Sequence, residues 1–386
     1  MDLWVATGSA NESPSEEGIS HFLEHLFFKG TPARPVGVMD RQIKTLGGYN
    51  NAATSYDFTH YYVVLPSEHV DLAIEILIDA LVNMQLPAEE IDRERMVILE
   101  EIARKEDSPL GKLYDEFLSR AFARTAYQHS ILGTPQSLEK IKRDDFMEYR
   151  NRTYAPGNIH VVVSGDVDPE AIRRKVADQT GFLEPSKPVL NKPASTGESL
   201  EREFEIFKDV QQTYLCMGIR TPSIQGTPEE VALELAAAVL ADGRSSRLVY
   251  QLVEKTGLCS SLSTFAWTLG EIGLFGLEAC YDSADEHEIL KVINEEMSRI
   301  LDEDIPEDEL NKARTILLTG YQYDLEKTSS MANVLGRCSA AGQLDSIVHY
   351  EDRIRTLTSK EIRQALTQCC PYSEKVTGFV RPERRS

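Results

Sequence analysis

The sequence predicts an α+β protein of two homologous domains, each a mainly antiparallel sheet covered by helices. Three observations indicate this class. Amphipathic helical segments alternate with short strand-like segments along the chain of 386 residues. A stretch rich in Pro, Ser and Gly interrupts them near the middle, and the same order of elements then repeats. We therefore predict one domain over 1–182, a linker over 183–200 and a second domain over 201–386.

Individual elements follow from the spacing of apolar residues. Residues 59–65 and 272–279 have the composition and alternation of strands. Residues 70–84 and 288–301 carry apolar residues at helical spacing, which predicts long amphipathic helices lying on the sheets. Residues 231–240 are almost wholly apolar and helix-favouring, which predicts a packed helix.

Composition narrows the function. The chain has 62 acidic and 41 basic residues, a formal net charge of −21, which argues against nucleic-acid binding. An acidic surface can steer cationic peptides towards the protein, or can simply keep the protein soluble, and both interpretations stay open. We find no run of about 18 apolar residues, so no membrane span is expected. The first eight residues resemble a strand within the fold and lack the pattern of a signal peptide.

All six cysteines lie in the second half of the chain, and none forms a Cys-x-x-Cys pair. This distribution favours free thiols in a reducing compartment and argues against a cysteine zinc site. We therefore predict a cytoplasmic protein.

The most informative motif is His-x-x-Glu-His, formed by His21, Glu24 and His25. On a helix, two histidines four residues apart share a face, and the glutamate lies on nearly the same face. Two imidazoles and a carboxylate so placed can hold a zinc ion and leave a base beside it. The alternative is a helix with two surface or core histidines, and a third ligand would argue against it.

The segment 91–102 is the best source of that ligand, because its apolar residues recur at helical spacing. Glu94 and Glu101 are seven residues apart and therefore face the same side of the predicted helix. Glu100 is a competing candidate, turned by about 100° from Glu101. An acidic face exposed to solvent is the alternative interpretation.

The segments 21–31 and 94–102 together resemble the inverted zinc peptidases, the family of insulysin, pitrilysin and mitochondrial processing peptidase. In that family a glutamate about 76 residues after the second histidine completes the site. Glu101 stands 76 residues after His25. The resemblance implies one Zn²⁺ ion per chain, with three ligands: His21, His25 and Glu101. It also implies that Glu24 is the general base and that Glu94 orients a ligand.

Other segments extend the resemblance over nearly the whole chain, and length places it closest to the short processing-peptidase branch. Residues 48–55 resemble the strand that pairs with the substrate backbone. The substrate-binding candidates are Asn51, Ala52, Ala53 and Thr54. An ordinary tight turn at 47–51 is the alternative, and both can hold. The family's two domains face each other across a chamber that holds an extended peptide.

The second half of the sequence repeats the order of elements of the first half but lacks the candidate zinc ligands. When the two halves are aligned on their acidic helix starts, the motif positions are occupied by Glu234, Ala237 and Ala238. Aligning 306–314 with 87–95 places Gly320 at the position of Glu101. We therefore predict that the second domain holds no zinc.

One departure concerns the family's Arg and Tyr pair in the second half, where this sequence has Val253 and Ser260. Neither side chain supplies the charge-assisted donors of that pair. A partner chain could complete the site, so we expect a homodimer, or a heterodimer with a family member lacking zinc. An enzyme that works without the pair is the alternative.

These features predict a zinc-dependent metalloendopeptidase that hydrolyses peptides or presequences held in an extended conformation. The main alternative is a catalytically weak or inactive assembly subunit of a family heterodimer. A non-catalytic clamp that only binds peptides is a third hypothesis.

Overall fold

The computed structural model describes residues 1–187, 190 and 201–383, which form two compact units. Unit one comprises Met1–Arg104, His129–Ser195 and Asp324–Leu344. Unit two comprises Lys105–Gln128, Thr196–Tyr323 and Asp345–Ser386. The units differ from the predicted domains in two segments: Lys105–Gln128 of the first half belongs to unit two, and Asp324–Leu344 of the second half belongs to unit one. Most of the predicted linker 183–200 lies outside the described residues, and the contiguous domain boundaries stay a prediction.

The described residues form two sheets and a set of helices. The strands are β1 Asp2–Val5, β2 Tyr49–Thr54, β3 Thr59–Val64, β4 Ile159–Val162, β5 Glu203–Lys208, β6 Thr213–Pro222, β7 Cys259–Thr268, β8 Ile272–Tyr281 and β9 Val376–Pro382. The helices of the first half are α1 Ile19–Leu26, α2 Val38–Thr45, α3 Val70–Asn83, α4 Ala88–Asp107, α5 Pro109–Ala121, α6 Pro135–Lys140, α7 Arg143–Thr153 and α8 Pro169–Thr180. Those of the second half are α9 Pro228–Ala241, α10 Glu286–Asp302, α11 Glu307–Glu326, α12 Thr328–Ala340, α13 Leu344–Thr356 and α14 Ser359–Cys369.

The sheet of unit one has the strand order β2-β3-β1-β4, with every neighbouring pair antiparallel. Alternation along the strands sorts their side chains between two faces. Leu3, Val5, Tyr61 and Val63 belong to the buried cluster that also contains apolar residues of α1 and α3. The helices α1 and α2 contact β2, so the edge strand lies beside the helix that carries the motif.

The opposite face of this sheet is covered by α12, which contacts β1 and β4. Trp4 points to that face, is 1% exposed and stacks on the ring of His60. A Cβ atom added at Gly336 of α12 would lie 2.0 Å from Trp4 Nε1. His160 Nδ1 and Ser339 Oγ are 2.8 Å apart and add a polar contact to the same packing. A helix from the second half of the sequence thus completes the sheet that carries the first half's site.

Gly336→Ala is expected to destabilise unit one by about 1–3 kcal/mol, because the added methyl group overlaps the indole of Trp4. Gly320→Ala in α11 is the matched control, since no atom lies within 4 Å of the added Cβ. An alanine there should stabilise the helix by about 0.5–1 kcal/mol. Thermal unfolding of both variants and the wild type measures the difference, and equal midpoints would contradict this packing.

Unit two has a five-stranded sheet of order β5-β9-β6-β8-β7. Its neighbouring pairs are antiparallel except β5 and β9, which are parallel. A parallel pair needs a long connection, and here the chain between Lys208 and Val376 provides it. The apolar α9, predicted over 231–240, is buried along its length and joins the core cluster with α10 and α14. On the other face α5 contacts β9 and β6, and a Cβ atom on Gly218 would lie 2.9 Å from Phe117. Two helix-covered, mainly antiparallel sheets confirm the predicted α+β class.

The predicted elements 59–65, 70–84, 272–279 and 288–301 all exist, with ends that shift by at most two residues. The predicted helix 91–102 extends over Ala88–Asp107. None of the helices among the described residues is long and apolar enough to cross a membrane.

Candidate metal centre

The helix α1 presents both histidines of the motif on one face. Gly18, with φ of 90°, precedes it and turns the chain sharply into the helix. His21 and His25 are one turn apart, and their ring centroids are separated by 4.6 Å. His21 is 9% exposed, and the side chain of His25 is 19% exposed. The rings are therefore partly protected from water but reachable from one side.

The helix α4 brings Glu101 opposite these rings. Glu101 Oε2 lies 3.9 Å from His21 Nε2 and 3.9 Å from His25 Nε2. The three candidate donor atoms all lie within 4.8 Å of one another. Tetrahedral zinc with bonds of about 2.0–2.1 Å needs donors about 3.4 Å apart. Because two imidazoles and a carboxylate are a donor set zinc prefers, and small side-chain rotations close the difference, these residues fit the ion.

Glu94, seven residues before Glu101, contacts a histidine and lies outside the donor cluster. His25 Nδ1 and Glu94 Oε2 are 3.0 Å apart, and Lys29 Nζ lies 2.6 Å from Glu94 Oε1. Burial alone would raise the pKa of Glu94, but the hydrogen bonds from Lys29 and His25 outweigh it and lower the pKa. An ionised Glu94 can only accept, so His25 Nδ1 donates its proton and leaves the Nε2 lone pair towards the centre.

Glu24 lies beside the donors and has its own partner. Thr54 Oγ1 donates to Glu24 Oε2 over 2.7 Å. Burial raises the pKa of Glu24, and the hydrogen bond from Thr54 opposes that rise. The buried hydroxyls of Tyr61 and Tyr154 are 2.6 Å apart; burial raises the pKa of both, and the negative charge of nearby Glu24 adds to that rise. A fixed carboxylate with a raised pKa is suited to taking up a proton.

The four substrate-binding candidates lie on β2, the edge strand of the unit-one sheet. Asn51 and Ala53 are exposed, whereas Ala52 and Thr54 are half-buried, as expected when alternate residues face opposite sides. Gly47, with φ of 75°, forms a turn just before this strand. Both readings of the segment, a turn followed by an edge strand, therefore describe part of it.

The aligned positions of the second half have structural partners in unit two. Glu234 Oε2 accepts a hydrogen bond from Tyr350 over 2.7 Å. Ala237 and Ala238 belong to the buried core. Ser260 Oγ donates to the carbonyl of Cys280 over 3.1 Å, and Val253 packs against the core. The metal cluster found among the described residues consists of His21, His25 and Glu101 alone.

Sequence reasoning missed Lys29 and the contact between Thr54 and Glu24. Lys29 stands four residues after His25 but beyond the end of α1, so helical spacing gave a weak signal. The sequence predicts Thr54 as a substrate-binding residue of a strand, and nothing in it indicates the hydrogen bond to Glu24. Both contacts join segments that are far apart in sequence, Thr54 with Glu24 and Lys29 with Glu94. Lys29 in addition lies outside regular secondary structure.

Comparisons with known proteins identify the relatives of this chain. Residues 1–135 match the family model described as "Insulinase (Peptidase family M16)", and residues 140–317 match "Peptidase M16 inactive domain". An uncharacterized zinc protease of Rickettsia bellii is 30% identical over 384 residues, covering 98% of this chain and 91% of the relative. One from Streptomyces coelicolor is 29% identical over 369 residues, covering 94% and 80%.

Solved structures share the fold. The crystal structure of a protease from Helicobacter pylori superposes with a TM-score of 0.89 at 24% identity, covering 99% of this chain and 94% of that one. A Pseudomonas fluorescens structure titled as a peptidase M16 inactive domain gives 0.89 at 18% identity, covering 99% and 92%. The family models and the relatives together show that this chain belongs to the insulinase-like peptidase family M16, with an N-terminal catalytic-type domain and a C-terminal domain of the inactive type.

Proposed function

We propose that the protein is a zinc-dependent metalloendopeptidase. The observation that carries this proposal is the convergence of donor atoms of His21, His25 and Glu101 within 4.8 Å, with the half-buried carboxylate of Glu24 beside them. Relatives named as zinc proteases support the same metal and reaction class.

The side chains divide the work as follows. When bound, a zinc ion polarises the scissile carbonyl and lowers the pKa of water at the site to about 7. Glu24 accepts a proton from the attacking water on a carboxylate oxygen and later passes it to the leaving amine. Thr54 holds that carboxylate in place through its hydroxyl. Glu94 fixes the ring of His25 and thereby directs Nε2 towards the ion.

The edge strand β2 offers a way to hold the substrate. Its outer edge has no neighbour in the strand order of the described residues, so its peptide groups can pair with an extended peptide. Main-chain pairing tolerates many sequences, and presequences are therefore one suitable class. Thr54 ends this strand at Glu24, so a peptide paired there reaches the proposed base.

The proposal extends to a partner subunit, either a second copy or a family member lacking zinc. It rests on Val253 and Ser260, which cannot donate a charge-assisted hydrogen bond to a substrate carbonyl. The second candidate, a weak or inactive assembly subunit, predicts the same zinc site with little hydrolysis. A cytoplasmic location also stays a prediction, based on the cysteine distribution.

Metal analysis and peptide hydrolysis test the proposal together. Protein purified without chelators should contain about one zinc per chain and cleave an unstructured peptide library. Removing the metal with a chelator should abolish cleavage, and adding zinc back should restore it. Zinc without cleavage by the chain alone would favour the partner-dependent form, which mixing with family chains lacking zinc tests. Protein without zinc would overturn the proposal.

A further inference from the structure

Glu12 is a buried acid that the proposed mechanism does not use. It is 0% exposed, and its two carboxylate oxygens accept hydrogen bonds from different backbone amides. Oε2 accepts from Gly18 N over 2.8 Å, and Oε1 accepts from Ser20 N over 2.8 Å. These amides lie at the N-terminus of α1, where a helix has unsatisfied N–H groups and a positive dipole end. Glu12 therefore forms hydrogen bonds with the first turn of the helix that carries both histidines.

Residues 132–137 form a second segment that contacts the start of α1. Ser137 Oγ donates to the carbonyl of Glu17 over 2.7 Å. A Cβ atom on Gly18 would lie 2.7 Å from the carbonyl oxygen of Leu132, and one on Gly133 would lie 2.5 Å from that of Glu17. The entry to α1 is thus enclosed by close backbone contacts. A shift of the helix has to break them or the bonds to Glu12.

Hydroxyl groups extend the network behind Glu12. Ser20 Oγ and Tyr149 OH are 2.7 Å apart, and Tyr149 OH and Thr7 Oγ1 are 3.3 Å apart. Ser20, Tyr149 and Thr7 are each 0% exposed. Ser20 directly precedes His21, so the network ends one residue from a proposed ligand.

Burial of this acid is unfavourable by itself. Burial raises the pKa of Glu12 to about 8, and the negative charge of nearby Glu16 adds to the rise, while the hydrogen bonds from Ser20 and Gly18 oppose it. An apolar side chain of similar size could stabilise the fold as well as this buried acid does. Stability alone therefore does not account for Glu12, and we expect its contribution in the placement of α1.

We propose that Glu12 is a positioning residue for the metal centre: by holding the amides of Gly18 and Ser20, it fixes the direction in which α1 presents His21 and His25. The inference rests on the proposed zinc peptidase function. The helix α1 has eight residues, so its first turn carries one ligand and its last turn the other. A tilt or rotation at its start moves both donors relative to Glu101, which lies on a different helix.

Glu12→Gln tests the inference with a side chain of the same size. A carboxamide has one acceptor oxygen, so one amide loses its partner and meets an N–H₂ group. We expect zinc affinity, measured by competition with a chelating dye on protein shown to be folded by circular dichroism, to fall about 10- to 100-fold. At saturating zinc, kcat should fall while KM for a peptide changes little.

Glu16→Gln is the matched control from the same segment. The side-chain carboxylate of Glu16 accepts hydrogen bonds from Arg152 and from Ser13 N, whereas the amide of Ile19 in α1 donates to the backbone carbonyl of Glu16, which the change keeps. Its loss should lower the melting temperature and leave zinc affinity unchanged. If Glu12→Gln is unfolded at the assay temperature, Glu12→Asp replaces it, because a carboxylate one methylene shorter reaches only one amide. We expect an intermediate loss of zinc affinity in that variant.

The possible outcomes separate the two proposals. Wild-type protein that binds no zinc overturns the metallopeptidase function. Wild-type protein that binds zinc, with a folded Glu12 variant that binds it equally tightly and has the same kcat, overturns only the positioning role. A lower melting temperature with unchanged zinc affinity also overturns that role, because it would show that Glu12 is merely structural.

Discussion

Replacing Glu24 by Gln is expected to lower kcat for peptide hydrolysis by about 10²- to 10⁴-fold while zinc stays bound. The carboxamide has the size of the carboxylate and can still accept the hydrogen bond that Thr54 donates over 2.7 Å. It cannot take up a proton near neutral pH. The fold and the three donor atoms should therefore be preserved, and the loss should fall on proton transfer.

Steady-state kinetics and zinc content of the same preparation measure this effect. Glu68→Gln is the control, because the side chain of Glu68 is 78% exposed and pairs with His69, which is not one of the three donors. It should have wild-type activity. Undiminished turnover in the Glu24 variant would show that another group acts as the base. A pure peptide-binding protein would be unaffected by the change, which separates that hypothesis from the peptidase.

Glu101→Gln is expected to weaken zinc binding more than the about 10- to 100-fold that loss of an outer-shell partner typically costs. Glu101 Oε2 is 3.9 Å from the Nε2 atoms of both His21 and His25, so it closes the three-donor set. A neutral amide oxygen is a much poorer zinc ligand than a carboxylate. Activity at low free zinc should be lost with the metal.

Glu100→Gln provides a matched control, one residue away on the same helix. Glu100 is exposed and is turned by about 100° from Glu101, so its loss should leave zinc affinity unchanged. Chelator competition on both variants distinguishes the two carboxylates. If the Glu100 variant loses zinc and the Glu101 variant keeps it, the ligand assignment is wrong.

Periodicity was sufficient to predict most of the elements that hold the site. Apolar residues at helical spacing placed a helix over 91–102, and α4 extends three residues before and five after it. The same spacing put Glu94 and Glu101 on one side of that helix. The structure places both near α1, but only Glu101 joins the donor cluster, while Glu94 bonds the back of His25. The difference arises because seven residues of helix rise about 10 Å along the axis.

Packing between distant segments could not be predicted from local patterns. The sequence of α12 is that of an ordinary amphipathic helix. Only the structure shows that Gly336 packs against the indole of Trp4. The sequence near Glu12 also gives no sign that this acid is buried and accepts hydrogen bonds from the amides of Gly18 and Ser20, although it lies only six and eight residues before them. Spacing specifies the face of one helix or strand, but it contains no information on which distant surface covers that face.

The sequence by itself determined the element types, the duplication, the family and the short motif, since each depends on residues within one segment or on a resemblance. Tertiary structure decided which carboxylate meets the two imidazoles, which residue holds Glu24, and which buried acid fixes the start of α1. Those contacts join Glu101, Thr54 and Glu12 to a helix of eight residues. The first two depend on distances across the fold, and the third depends on how the segment before α1 is packed. Side-chain packing sets both only when the whole unit has assembled.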